Sequence, residues 1–505
     1  MVDGAPYLIL GGELGNSTAS DLPSLRQFWP LFDSLHLNTV LAPVSWELIE
    51  PAEGRFDFSS VDGLIRQARE HDKRLVLLWF GAWKNSMSSY VPPWIKRDQA
   101  RFPRAELPDG RAMEILSAFS AANRDADARA FAALMAHLRD ADAGRHTVLM
   151  VQVENEIGMI PEPRDHSPAA DTSFAAPVPE TLIRYLVSHR STLAPGLRVR
   201  WEAAGARTDG SWVQVFGRGA QTEELFTAWH FAEYVEAVAA AGKARYALPL
   251  FVNAALVRPG RQPGEYPSGG PLPHLTDVWR AAAPSIDFLA PDIYFPNFVE
   301  WARAYAQPGN PLFVPETGRN PEATPANALY AIGALDAIGF SPFAIEAYRP
   351  DDRLADAYDI LRQLAPLLLE HQGDSSMVGV RPPVSFQGRV DETPQDVRLG
   401  DYVLRVAFPN PFSQAPDQRI ESHGGLIIRL GADEYLVAGR GITVTFATST
   451  AGAIAGIESI WEGQYVAGRW VRSRLLNGDE SHQGRHLRIP DDRFGIQRVR
   501  LYRYR

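Results

Sequence analysis

The feature that most constrains this chain is a repeated grammar: a short apolar run, then a stretch with helical periodicity, continued to about residue 371 and then abandoned. The runs fall at residues 7–10, 37–44, 74–80, 147–153, 249–252, 286–293, 312–314 and 342–345. Leu25, Phe28, Trp29 and Phe32 recur at helical spacing after the first, and Val61, Leu64, Ile65 and Ala68 after the second. Phe131, Leu134, Met135 and Leu138 stripe a helix before the fourth run. About eight strand–helix units is the tally of a closed (β/α)8 TIM barrel, with a doubly wound open sheet as the rival. Polar and aromatic residues gather just after nearly every run, which favours the barrel.

From about Gln372 the pattern becomes all-β. Segments 384–390, 402–408, 425–430, 434–437, 442–446 and 499–502 are separated by Gly, Pro, Asp and Asn, with no helical stripe between them. The expected organisation is therefore a catalytic barrel over residues 1–371 and a smaller, sandwich-like β domain over 372–505, joined near HQGDSS. The 505 residues are 45% hydrophobic and 22% charged, enough to pack such cores. A net charge of -10 with no dense Lys/Arg run argues against nucleic acid, so the expected partner is a small molecule or an oligosaccharide. The absence of cysteine removes disulfides, thiolate zinc sites and cysteine nucleophiles. No run approaches the roughly 20 apolar residues of a membrane span. The opening MVDGAPYLIL lacks signal-peptide character, so the expected location is cytoplasmic, or periplasmic or secreted if a leader was replaced by Met1. Oligomeric state leaves no signature in the sequence.

Loops at the C-terminal ends of barrel strands form the active face, so position after a run filters the candidates. Carboxylates pass repeatedly: Glu13, Glu47, Glu50, Glu154, Glu156, Asp292, Glu316 and Glu346. There is no HExxH, no histidine pair at ligand spacing and no GxSxG, so neither a metal nor another cofactor is expected. Paired carboxylates with aromatics suit glycoside cleavage, one carboxyl protonating the leaving oxygen while a second attacks the anomeric carbon or activates water. Trp46, Trp79, Trp83, Tyr90, Trp94 and Tyr294 lie in or after strands, where rings stack on sugars or fill the barrel rim. Asn253, Glu13 and Glu346 are placed to bind sugar hydroxyls, with loop capping and surface solvation as the alternative roles. Glu154, one pleat deeper than Glu156, is expected in the barrel interior beside a polar group.

Three strings carry a resemblance. TVLMVQVENEIG resembles the QVENEYG motif of glycoside hydrolase family 35, the β-galactosidases. Trp46, Glu50, Pro51, Gly54, Phe56 and Phe58 are similar to the family's W-x-x-x-E-P-x-x-G-x-[FY]-x-F segment, and LFVPETG places Glu316 where the clan has its nucleophile. The chain looks like a bacterial branch with a single C-terminal β domain. The resemblance implies a retaining exo-β-galactosidase with Glu156 as acid/base and Glu316 as nucleophile. It also implies an Asn155 that donates to a sugar hydroxyl and a Tyr294, oriented by Asp292, that hydrogen-bonds the nucleophile. Retention requires carboxyls about 5–5.5 Å apart. Where the family reads G-P-Y-x-C-A-E-W after the third strand, this chain has FGAWKNSMSSYVPPWI, so Lys84 and Asn85, following Trp83, stand in for the pocket residues. Glucosides, mannosides and arabinosides remain as alternative substrates, and a non-catalytic sugar-binding protein as the alternative class. Plant cell-wall oligosaccharides are implied by resemblance alone.

Overall fold

The computed structural model describes residues 1–409 and 418–505. The fold is a (β/α)8 barrel followed by an all-β region. The barrel strands are β1 (Ile9–Glu13), β2 (Thr39–Ser45), β3 (Arg74–Lys84), β4 (Val148–Asn155), β5 (Leu250–Ala255), β6 (Phe288–Ile293), β7 in two pieces (Phe313–Val314 and Glu316–Thr317) and β8 (Gly339–Phe340). The chain divides into two compact units, one of Leu14–Gln27 and Thr39–Asp292, the other of Met1–Glu13, Phe28–Asn38 and Ile293–Arg505.

The first unit carries five of the barrel strands, parallel in the order β2-β3-β4-β5-β6, and a separate antiparallel pair, Arg104–Glu106 and Ala112–Leu116. Every residue of β2 is buried, and in β3 only Arg74 is partly exposed, as a parallel sheet covered on both faces requires. The helix Ser59–Glu70 buries Val61, Leu64, Ile65 and Ala68, and the helix Ala121–Asp142 buries Phe131, Leu134, Met135 and Leu138, the faces expected from their spacing. A long helix, Ala220–Lys243, packs on the latter so closely that a Cβ on Gly242 would lie 2.3 Å from the Phe131 ring. The stretch after β4 folds into four helices before the long one, Pro168–Ala175, Glu180–Ser188, Pro195–Ala203 and Trp212–Phe216, with no strong apolar run to announce them.

In the second unit β1, β8 and β7 pair in parallel, in that order. Pro315, which has no N–H to give a ladder, interrupts β7. The eighth strand is not residues 342–345. It is the two-residue Gly339–Phe340, and Ala344 turns the chain with φ 50° into a 3-10 turn, Ile345–Ala347. The reason is steric: a Cβ at Gly339 would fall 2.5 Å from the Ile9 Cβ, so the strand starts on glycine and leaves no apolar run to read.

The all-β region follows the helix Arg353–His371 and begins at Met377. It contains β9 (Met377–Val380), β10 (Gln395–Leu399), β11 (Tyr402–Ala407), β12 (Gly424–Arg429), β13 (Glu434–Arg440), β14 (Ile442–Thr448), β15 (Ile454–Val466), β16 (Arg469–Leu476), β17 (Leu487–Ile489) and β18 (Gly495–Tyr504). Two antiparallel sheets, β9-β12-β13-β18-β15-β16 and β10-β11-β14-β17, enclose Leu404, Val406, Ile427, Val437, Val444 and Val499 between them. This is a sandwich. Residues 384–390 are not a strand: Val384 and Val390 meet in an isolated bridge around a turn closed by Ser385 and Gly388. β16 is exposed along most of its length, so it carries no apolar alternation and escaped the sequence reading. The sandwich joins the helix Ala323–Leu335 through two glycines. A Cβ on Gly379 would lie 2.9 Å from the Tyr330 carbonyl, and one on Gly333 2.8 Å from the Leu426 Cβ. Among the described residues no helix is long and apolar enough to cross a membrane.

Candidate active site

In the five-strand unit the polar groups converge where β3, β4, β5 and β6 end. Glu156, one residue beyond β4, is 7% exposed and has φ 45°. Its carboxylate accepts a hydrogen bond from the Asn85 amide. Its backbone N–H donates to Asn253 Oδ1 at 3.0 Å, and Asn253 Nδ2 donates to Asp292 Oδ2 at 2.6 Å. The loop after β3 is clipped onto this corner: the Asn85 N–H reaches the Asn155 carbonyl at 3.2 Å and the Ser86 N–H the Glu156 carbonyl at 3.1 Å. Asn85 and Ser86 hold φ of 50° and 62°, conformations that non-glycine residues adopt only where the surroundings fix them. The Asn155 side chain is buried, and neither its amide oxygen nor its nitrogen has a hydrogen-bond partner among the described residues. Lys84 is 5% exposed with its ammonium 5.1 Å from the centre of the Phe80 ring.

The other candidates of this unit have structural duties. Trp83 offers no ring face to a sugar: it is wholly buried, edge-on to Tyr234 at 4.6 Å and against Phe231 at 5.3 Å. Its place at the end of β3 points it into the gap between strand and helix, where a large ring fills space. Trp46 and Trp79 are equally enclosed. Glu50 is a loop staple, accepting from Trp46 Nε1 at 2.9 Å and from the Gly54 N–H at 2.7 Å, which explains the W-x-x-x-E-P-x-x-G spacing. Glu47 pairs with Lys96 at 3.2 Å. Glu154 lies in the interior, its Oε2 accepting the Trp83 N–H at 2.7 Å. Its Oε1 has no hydrogen-bond partner among the described residues and lies beside Asp127, a residue that the sequence reading missed. Burial, and then the Asp127 charge, push the Glu154 carboxyl well above the usual carboxylate range.

In the other unit Glu316 lies on β7, 4% exposed, and accepts a hydrogen bond from the Tyr294 hydroxyl. Tyr294 is half exposed, with its ring over Gly318, where a Cβ would come within 3.3 Å of it. Thr317 Oγ1 and the Gly318 N–H both bind the Ile293 carbonyl, at 2.7 and 3.3 Å, and this fixes the two chain ends that carry tyrosine and glutamate. Glu13 is buried at the end of β1, its N–H on the Pro342 carbonyl at 2.9 Å. Glu346 is half-buried on the turn after β8. Beside it a cavity of about 320 Å³ is lined by Arg319, Tyr348, Arg349 and Asp352.

A family model described as β-galactosidase matches residues 24–195, and one described as a domain of unknown function matches residues 354–488. The former is glycoside hydrolase family 42, a different family of the same clan as the family 35 that the motifs resemble. Solved structures with a similar course include the cold-adapted β-galactosidase from Rahnella sp. R3, at TM-score 0.48 and 16% identity, covering 72% of this chain and 57% of that one. The β-galactosidase from the psychrophilic Marinomonas ef1 matches at 0.48 and 12%, covering 73% and 61%. The catalytic domain of β-amylase from Paenibacillus polymyxa matches at 0.46 and 12%, covering 69% and 95%. The chain thus spans 57% and 61% of the length of the two β-galactosidases. No curated protein matches.

Proposed function

We propose that this chain is a retaining exo-β-galactosidase that removes terminal β-linked galactose from oligosaccharides, including those of plant cell walls. The observation that carries the reading is the corner at the end of β4. Glu156 meets the Asn85 amide, and beside it Asn155 keeps a buried amide that no described residue satisfies, which a sugar hydroxyl would complete. The β-galactosidase family model runs across this segment, which supports the substrate class. In the proposed mechanism Glu156 protonates the glycosidic oxygen while Glu316 attacks the anomeric carbon. Glu156 then takes a proton from the water that releases the sugar. The Tyr294 hydroxyl stabilises the charge on Glu316 and so favours its ionised form. A panel of nitrophenyl β-glycosides tests the assignment: the galactoside should give the highest kcat/KM. Preference for a glucoside, mannoside or arabinoside would assign a different sugar, and binding of galactose without turnover of any glycoside would make the chain a sugar-binding protein.

A further inference from the structure

Asp127 and Glu154 are two carboxyl groups, both wholly enclosed, whose oxygens converge beside Gly81 in the interior of the five-strand unit. Two charged carboxylates in such a place would repel in a medium that cannot screen them, so one proton must be shared. The surrounding donors show which partner holds it. Asp127 accepts three hydrogen bonds: Trp79 Nε1 to Oδ1 at 2.9 Å, the Ala82 N–H to Oδ2 at 3.2 Å, and the Tyr234 hydroxyl to Oδ2 at 3.3 Å. Glu154 accepts the Trp83 N–H on Oε2, while its Oε1 meets no donor. That orphaned oxygen and Asp127 Oδ1 converge beside Gly81, where a Cβ would stand 2.8 and 2.9 Å from them. An acceptor without a donor, next to a second acceptor, is the geometry of a carboxylic acid donating to a carboxylate.

We propose that Glu154 is protonated, donates through Oε1 to an ionised Asp127, and with it forms a positioning element that sets the ends of β3 and β4. The link grips the backbone of Ala82 and Trp83 on one strand and Glu154 on the other. Those are the strand ends that bring Asn85 to the Glu156 carboxylate. Burial raises both carboxyls and the Tyr234 phenol, which agrees with a single charge in the cluster, and Arg124 is the cation whose field reaches it. Glu154 touches no substrate. Its effect on turnover runs through Asn85 and Glu156 and rests on the proposed glycosidase reading, whereas the state of the proton does not.

The test compares two isosteric variants with the full-length protein. Glu154→Gln replaces the acid with an amide that still donates to Asp127 and accepts from Trp83, so it should keep its melting temperature within about 2 °C and kcat/KM within about threefold. Asp127→Asn must turn an NH2 group toward Trp79 Nε1 or the Ala82 N–H, donor against donor, and should lose about 5 °C or more, or fail to fold. Infrared spectra of wild type and Glu154→Gln supply a readout that a merely structural role would not move. The wild-type minus Glu154→Gln difference spectrum should show a protonated-carboxyl C=O band at pH 7, over and above any proton held by the acid Glu156 in both proteins. Absence of that difference band, or Asp127→Asn proving milder than Glu154→Gln, would overturn the proposal. None of these depends on a sugar substrate. If they hold and no glycoside is cleaved, the glycosidase reading fails alone.

Discussion

The strand ends of the five-strand unit and the interior of the sandwich both bury most of their side chains, yet they are filled in opposite ways. The sandwich core is aliphatic and aromatic, and its tyrosines lead their hydroxyls to its margin, Tyr402 to Asp433 at 2.6 Å and Tyr435 to the Leu399 carbonyl at 2.7 Å. At the barrel strand ends Asp127, Glu154, Asn155, Glu156, Asn253 and Asp292 are all buried. Burying carboxyls costs stability unless each is paired or hydrogen-bonded, and a cluster of this size is what the proposed chemistry would need. The sandwich has apolar packing and no comparable cluster among its described residues, and we propose that it serves as support.

That contrast can be broken most sharply at the barrel. Glu156→Ala should lower kcat/KM on a glycoside with a poor leaving group by about 10²- to 10⁴-fold, and Asn155→Ala by about 10- to 100-fold, both with the melting temperature nearly kept. In the sandwich, Leu404→Ala should remove about 2–5 kcal/mol of stability while the folded fraction turns over normally. A Leu404→Ala protein that is stable but inactive would show that the sandwich takes part in the chemistry.

The smallest effect concerns pH, where the two regions act with opposite signs. Burial, helped by Arg488 and His482, depresses His486 of the sandwich to about 4 from 6.5. Between those values the unfolded chain binds the proton and the native state does not, so the stability that neutral His486 contributes is present above about pH 6.5 and lost as pH falls through 4. Glu154 is raised instead: its contribution is present below the ordinary carboxylate value of 4.5 and lost as pH rises through its higher native pKa. Denaturation across pH should therefore show His486→Gln flattening the acid limb and Glu154→Gln the alkaline limb. Exchange of the two limbs would contradict the burial assigned to both residues.

The barrel was legible because parallel strands buried on both faces read as apolar runs, and the helices between them as 3.6-residue stripes. The eighth strand was not, since Gly339–Phe340 is too short to leave a pattern. Alternation along β4 separated Glu154 from Glu156 only by depth. The two left-handed residues, φ 62° at Glu154 and 45° at Glu156, twist the chain at its end in a way that no periodicity encodes. Asp127 did carry a signal. It shares a helical face with Ala130, Phe131, Leu134 and Leu138, and a charge on an otherwise apolar stripe is a buried partner waiting to be identified. The tryptophans misled for the converse reason, because a large ring after a strand packs as readily as it stacks.

The central claim, that Glu316 is the nucleophile and Glu156 the acid/base of a retaining glycosidase, is tested most directly by azide rescue of Glu316→Gly on an activated β-galactoside. Azide entering from the face that the carboxylate occupied should restore turnover and yield the α-galactosyl azide. Recovery of the β-azide from this variant, or undiminished turnover without azide, would contradict the assignment.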